Sequence, residues 1–203
     1  AARDKARARL GEMVEEIVAK RRASDKEYTD ALNTFMTATY SDGSTMSPHE
    51  ITGLLIATMF AGHHTSSGTA TWTLVEFLRN PQFMVEVKQE LAEVFADGGE
   101  VSHHAMRGMP KMEAFIREVL RVHPPLSTLI RVVEQDFAYK DFVIPKGYRV
   151  VMSPGVAHKI ADVFPEPEKF NMHRPEPEHM FAWMAFGGGR HKCAGNAFAI
   201  LQL

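Results

Sequence analysis

The stretch Phe186-Gly187-Gly188-Gly189-Arg190-His191-Lys192-Cys193-Ala194-Gly195 concentrates the residue types most able to do chemistry. It carries the only cysteine of the 203-residue chain. On one side lies a glycine-rich loop and on the other an apolar run, residues 197–203, that reads as the start of a helix. Arg190, His191 and Lys192 put positive charge beside the sulfur, and backbone N–H groups at a helix start add to it, a setting that suits a thiolate. Consecutive glycines remove the Cβ atoms that would hold the backbone away from a flat, bulky ligand. A thiolate presented to a planar macrocycle is what cysteine-ligated haem requires.

Other cysteine chemistries do not match the spacing. Where a phosphatase loop carries arginine, this chain has Ala199. A Walker loop needs Gly-Lys-Ser/Thr, and a dinucleotide fingerprint needs a preceding strand and wider glycine spacing. Zinc would need further thiolates. Most free cysteines are small buried hydrophobes, so the loop residues alone leave two readings, a haem ligand or a core side chain.

Several helical elements must position this loop. Residues 1–22 carry Leu10, Met13, Val14, Ile17 and Val18 at helical spacing, with basic residues opposite on a solvated face. Residues 29–40 repeat the pattern more weakly, and Ser41-Asp42-Gly43-Ser44 is a turn. Ser47, Pro48 and Glu50 form the strongest helix start, a capping box with proline at the first helical position. The pattern then runs to Arg79, where Asn80-Pro81 ends it. About thirty residues make a rod of roughly 45 Å, apolar around its whole circumference, which predicts a buried central helix. In its middle, Ala61-Gly62-His63-His64-Thr65-Ser66 is small and polar. Gly62 costs about 1 kcal/mol relative to alanine, and the Thr65 hydroxyl can turn back to the Ala61 carbonyl and loosen the helix. By themselves these residues fit a polar cluster facing another helix.

Residues 81–96 are amphipathic and closed by Asp97-Gly98-Gly99, and Ser102 caps a short turn through Met106. His103 and His104 read as surface. Residues 111–122 place Met112, Phe115, Ile116, Val119 and Leu120 on one helical face, stopped by His123-Pro124-Pro125. Glu118 and Arg121 meet on that helix at a spacing of three; an isolated pair of this kind is an exposed bridge worth under about 1 kcal/mol. Beyond Pro125 come strand-type runs at 129–133, 137–139, 142–144 and 148–152, with Pro145-Lys146-Gly147 as a turn. Residues 164–178 read as an irregular loop. The expected class is mainly α with small β-sheets.

The totals bound the function. A hydrophobic content of 45% suffices for one sizeable core or part of a larger one, and a net charge of −2 leaves no footprint for nucleic acid. One cysteine excludes an intramolecular disulfide. No uninterrupted apolar run is long enough for a membrane span, and no signal peptide is visible. The chain opens inside a helix-patterned segment at Ala1 and stops in mid-helix at Leu203, so it is expected to be an internal piece of a longer domain.

The Cys193 stretch resembles the haem-binding signature of the cytochrome P-450 superfamily at Phe186, Gly189, Cys193 and Gly195, with His191 where most members carry arginine. Glu118-Val119-Leu120-Arg121-Val122-His123-Pro124-Pro125 resembles a second landmark, and Arg174, in Phe170-Asn171-Met172-His173-Arg174, stands at a third. The segment 60–69 and the Cys193 loop are similar to the sterol 14α-demethylase family, its bacterial form in particular. The resemblance implies an incomplete cytochrome P-450 fold around the long central helix. Residues 1–203 would be a partial haem-thiolate monooxygenase domain, its amino-terminal part and the end of its last helix missing. It implies haem b as cofactor, electrons ultimately from NAD(P)H through a ferredoxin or reductase, and three oxidations that remove the 14α-methyl group of a sterol as formate. Cys193 would be the axial ligand. Arg131 and His191 would hold the propionates, and Phe186 and Gly187 of the loop would also bind the cofactor. His64 and Thr65 would deliver protons, His64 standing where an acidic residue is common. Phe60, Ala61, Leu126, Thr128 and Ile130 would line the substrate side. Glu118, Arg121 and Arg174 would lock the core. A bacterial-type soluble, cytoplasmic form is implied, with an anchor before residue 1 left open. Two alternatives stay open: a P-450 acting on another lipid or terpenoid, and a non-catalytic helical fragment unable to hold haem.

Overall fold

Prolines and capping residues cut the chain into helices where the sequence places them. The computed structural model describes residues 1–96 and 98–203; Asp97, expected in the turn after the fourth helix, lies outside the described residues. Two compact units result, 1–63 and 64–203, with the boundary inside the longest helix.

In the first unit, α1 (Ala2–Arg22) ends on Lys20, Arg21 and Arg22, cations that suit a helix C-terminus. Arg21 grips Asp30 through two hydrogen bonds of 2.6 and 2.7 Å. Asp30 also accepts from the Asn33 N–H and so caps α2 (Ala31–Thr37). Those contacts, the Arg21 hydrogen bond first, push the Asp30 carboxyl down to about 2. The turn at 41–44 forms with Gly43 at φ +83°. The capping box also forms: Glu50 N–H donates to Ser47 Oγ at 3.3 Å and Ser47 N–H donates back to the Glu50 carboxylate at 2.8 Å. It starts α3 (Pro48–Arg79), 32 residues or about 48 Å of helix.

The expected burial of α3 is not what this chain shows. Ile51, Thr52, Thr69, Thr73 and Glu76 are buried, yet Phe60 is 75% exposed and Leu78 is 78% exposed. Apolarity around a helix records what it can bury; neighbours decide what it does bury. Within the second unit they cover one stripe of its C-terminal half. Phe77 stacks on Phe115 with centroids 3.9 Å apart, and Trp72 stacks on His123 at 3.7 Å. The His123 ring also bonds the buried Glu76 carboxylate at 2.9 Å.

The second unit continues with α4 (Pro81–Val94), α5 (His103–Arg107) and α6 (Pro110–Val122). Helix α6 buries Phe115, Ile116, Val119 and Leu120 on one side. The core gathers Val87, Phe115, Val119 and Met172, with Phe77, Phe83, Leu91, Met112 and Phe170 packed around them. Burying a side chain such as Phe115 is worth about 1.5–3 kcal/mol. The N-terminus of α6 has no side-chain cap of its own. Glu90 of α4 supplies one, its two carboxylate oxygens accepting from the N–H groups of Lys111 and Met112 at 2.8 and 2.9 Å.

Two small antiparallel sheets follow. Strand β1 (Leu129–Val132) pairs with β4 (Arg149–Met152) in the register Leu129↔Met152, and β2 (Phe137–Tyr139) pairs with β3 (Phe142–Ile144). A one-turn helix α7 (Pro154–Ala157), capped by Ser153, was not expected from the sequence. Residues 164–178 are irregular, and α8 (Asn196–Gln202) starts just beyond the cysteine loop. Among the described residues, no helix is long and apolar enough to cross a membrane.

Candidate functional site

The loop around Cys193 doubles back because Gly187 and Gly189 adopt φ of +71° and +66°, a region that other residues enter only at a cost. Its ends are joined where the Cys193 N–H donates to the Phe186 carbonyl at 2.9 Å. A methyl group added at Gly187 would lie 3.6 Å from the His191 carbonyl and 3.9 Å from Leu129 Cδ1, so the loop passes against β1. At Gly188 the same methyl would come within 3.0 Å of the Phe181 ring. Cys193 is exposed, with Gly195 beside its sulfur. Among these residues the thiol is therefore not part of a packed core.

Cys193 offers a single exposed sulfur ligand. Among the described residues, no group of three or more His, Cys, Asp or Glu side chains could hold a bare metal ion. A macrocycle brings its own four nitrogens, so one protein sulfur on an open, glycine-turned loop is enough.

A buried charge knot lies on α6. Glu118 sits in α6 with its carboxylate 5% exposed, and Arg121 one turn later is 2% exposed. Arg121 donates from Nε and Nη2 to the two oxygens of Glu118 at 2.7 and 2.9 Å. Arg174 Nε donates to Glu118 Oε1 at 3.3 Å, and the Asn171 N–H donates to the same oxygen at 3.0 Å. The spare guanidinium donors hold carbonyls elsewhere: Arg121 those of His158, after α7, and Lys169, and Arg174 those of Pro165, Glu166 and Lys169 in the irregular loop. Two cations around one carboxylate are tolerated because nearly every donor has a partner.

The remaining residues singled out in the sequence are distributed as follows. Arg131 lies half-buried on β1, one guanidinium nitrogen donating to the Ile130 carbonyl at 2.9 Å. Leu126, Thr128 and Ile130 are exposed around the start of that strand, and His191 is exposed at the end of a 3-10 turn inside the cysteine loop. His64 is exposed and Thr65 half-buried on α3. Their carbonyls take extra bonds from the hydroxyls of Ser67 (3.4 Å) and Thr69 (2.8 Å), back-bonding that bends or loosens helices. Phe60 and Ala61 are exposed and belong to the first compact unit, the others to the second. Sequence reasoning missed His158, which is fully buried between Arg121 and the segment leading into the loop, and Trp183, which stacks under the Arg117 guanidinium at 4.2 Å. No periodicity or motif marks either.

The family description Cytochrome P450 matches residues 1–203, and the chain belongs to that family. It is 43% identical to a "Sterol 14alpha-demethylase" of Mycolicibacterium vanbaalenii, an alignment covering 99% of this chain and 47% of that protein. It is 38% identical to an "Obtusifoliol 14-alpha demethylase" of Sorghum bicolor, over 99% and 44% of the two chains. Among solved structures, a "Retinoic acid bound cyanobacterial CYP120A1" superposes with a TM-score of 0.82 at 28% identity, over 98% of this chain and 47% of that one. The chain thus spans about half the length of the curated relatives it matches. Membership implies a haem cofactor, and the Cys193 loop fits one.

Proposed function

We propose that the chain is part of a sterol 14α-demethylase-type monooxygenase in which the Cys193 sulfur would hold haem b. The observation that carries this reading is the loop: an exposed thiol on a glycine-turned backbone, together with the Glu118–Arg121–Arg174 knot. When bound, haem supplies dioxygen activation, and electrons drawn from NAD(P)H through a ferredoxin or reductase support three oxidations that release the 14α-methyl group as formate.

The chain's own residues would bind, orient and deliver protons. The Cys193 N–H is committed to the Phe186 carbonyl, which ties the backbone that carries the thiol to the start of the loop. Arg131 spends one donor on the Ile130 carbonyl, and a guanidinium has five, so charge-assisted bonds to a propionate remain open to it. His191 offers a ring N–H from the adjacent turn. His64 adjoins Thr65 in sequence on α3, and an imidazole beside a hydroxyl is a pairing suited to proton delivery. Leu126 and Ile130 present exposed apolar side chains near Thr128, a combination that fits a sterol face with one polar contact.

Similarity to the retinoic acid bound structure favours a second reading, oxidation of another apolar lipid. Titrating the haem-loaded protein with a 14α-methylated sterol, the same sterol lacking that methyl, and retinoic acid separates the two. The sterol reading predicts tightest binding of the methylated sterol and one formate released per sterol converted. Retinoic acid oxidised without formate, and no sterol turnover, would favour the second.

A further inference from the structure

We infer that His158 is a positioning residue for the Cys193 loop, its neutral ring bridging the Arg121 carbonyl of α6 and the Met184 backbone N–H at the loop's entrance. The inference rests on the reading of Cys193 as the haem ligand. His158 follows α7 and is fully buried. Its Nδ1 lies 3.1 Å from the Arg121 carbonyl, and its Nε2 lies 2.9 Å from the Met184 nitrogen. The two partners dictate one tautomer. A carbonyl only accepts, so Nδ1 carries the hydrogen; an amide N–H only donates, so Nε2 must be bare.

From Met184 the hydrogen bonds lead to the cysteine. The Gly187 N–H donates to the Met184 carbonyl at 2.9 Å, and the Cys193 N–H donates to the Phe186 carbonyl at 2.9 Å. Trp183 holds the same segment from the other side. Its Nε1 donates to the Arg117 carbonyl at 3.3 Å, and its ring lies nearly parallel to that of His158, 14° apart. The position at which the chain turns into the loop is therefore set by α6 through two side chains, and His158 is the one that grips the backbone of the entering segment itself. Burial lowers the His158 pKa, as does the charge of Arg121, while the bond to the Arg121 carbonyl and the charge of Glu118 oppose the shift. Phe164 and Trp183, the rings packed on it, carry no charge. The buried imidazole thus stays in the neutral form that both bonds require.

Nitrogen NMR of His158 and amide exchange at Met184 test the assignment. Nε2 should resonate as a bare ring nitrogen and Nδ1 as a protonated one; the opposite tautomer overturns the inference without any variant. In His158→Phe, which keeps a ring and loses both nitrogens, the Met184 amide should exchange about tenfold faster, the loss of one hydrogen bond. The amides of Phe115 and Val119 should keep their protection. His158→Gln, whose amide oxygen reaches toward the Nε2 position, should restore most of the protection at Met184. Unchanged exchange in His158→Phe, or no restoration in His158→Gln, overturns the inference. If His158→Phe also exposes Phe115 and Val119, the tautomer and His158→Gln decide. With haem added, the thiolate-type absorption band should weaken in His158→Phe and return in His158→Gln. A wild-type protein without that band would sink the haem reading and leave the Met184 result standing.

Discussion

Glu118→Gln isolates the buried charge knot of α6. The carboxylate accepts four hydrogen bonds, two from Arg121, one from Arg174 and one from the Asn171 N–H. A glutamine side chain of the same size keeps one acceptor oxygen and turns an NH2 group toward a guanidinium. Two buried cations then lose their counter-charge, and breaking a buried pair in this way costs about 3–5 kcal/mol. Against a total stability of about 5–15 kcal/mol, that is a large share. With a urea slope of about 2 kcal/mol per molar, the unfolding midpoint should fall by about 2 M. Fluorescence of Trp183, which bonds the Arg117 carbonyl on the same helix, reports the transition. The control is Glu176→Gln, whose ion pair with Arg117 leaves the carboxylate 71% exposed; its loss should cost under about 1 kcal/mol. A Glu118→Gln midpoint no lower than that of Glu176→Gln would refute the reasoning that a desolvated network holds this region.

Three further outcomes follow from local geometry. Glu90→Gln keeps one acceptor for two N–H donors at the start of α6 and should cost about 1–2 kcal/mol in urea unfolding, as the loss of a helix cap does; no measurable change would mean that water replaces the cap. Gly187→Ala forces a side chain to φ +71°, which should cost about 1–2 kcal/mol and reduce the share of protein that retains haem, and a neutral result would show that the loop can re-form without that turn. The Asp30 carboxyl should titrate by NMR at about 2, below the usual 3.8. A depressed folded pKa stabilises above the unfolded value, so the α1–α2 clasp should be intact above about pH 4 and be lost as pH falls toward 2; Arg21→Gln should raise the Asp30 pKa toward its ordinary range, with the Asn33 N–H still holding it below.

Local chemistry was legible in the sequence and coverage was not. Ser47, Pro48 and Glu50 announce the start of α3, and Asn80-Pro81 announces its end, because caps and prolines act within one turn. The spacing of Glu118 and Arg121 was equally readable. Their burial was not, since it depends on carbonyls and side chains from residues 158–174, far along the chain. For the same reason the apolar circumference of α3 predicted a buried rod, while the neighbours present cover one stripe of it. Cys193 drew attention by its company of glycines and cations, but only the fold shows the thiol exposed. His158 was invisible: its partners lie 37 residues back and 26 ahead, and nothing near it in sequence forms a pattern.

The most direct test of the haem-thiolate claim is the absorption spectrum of the haem-loaded protein, reduced and exposed to carbon monoxide, compared with Cys193→Ser at measured haem content. Ligation by Cys193 predicts a long-wavelength thiolate-type Soret band in the wild type and none in the variant. A band that survives Cys193→Ser would contradict it.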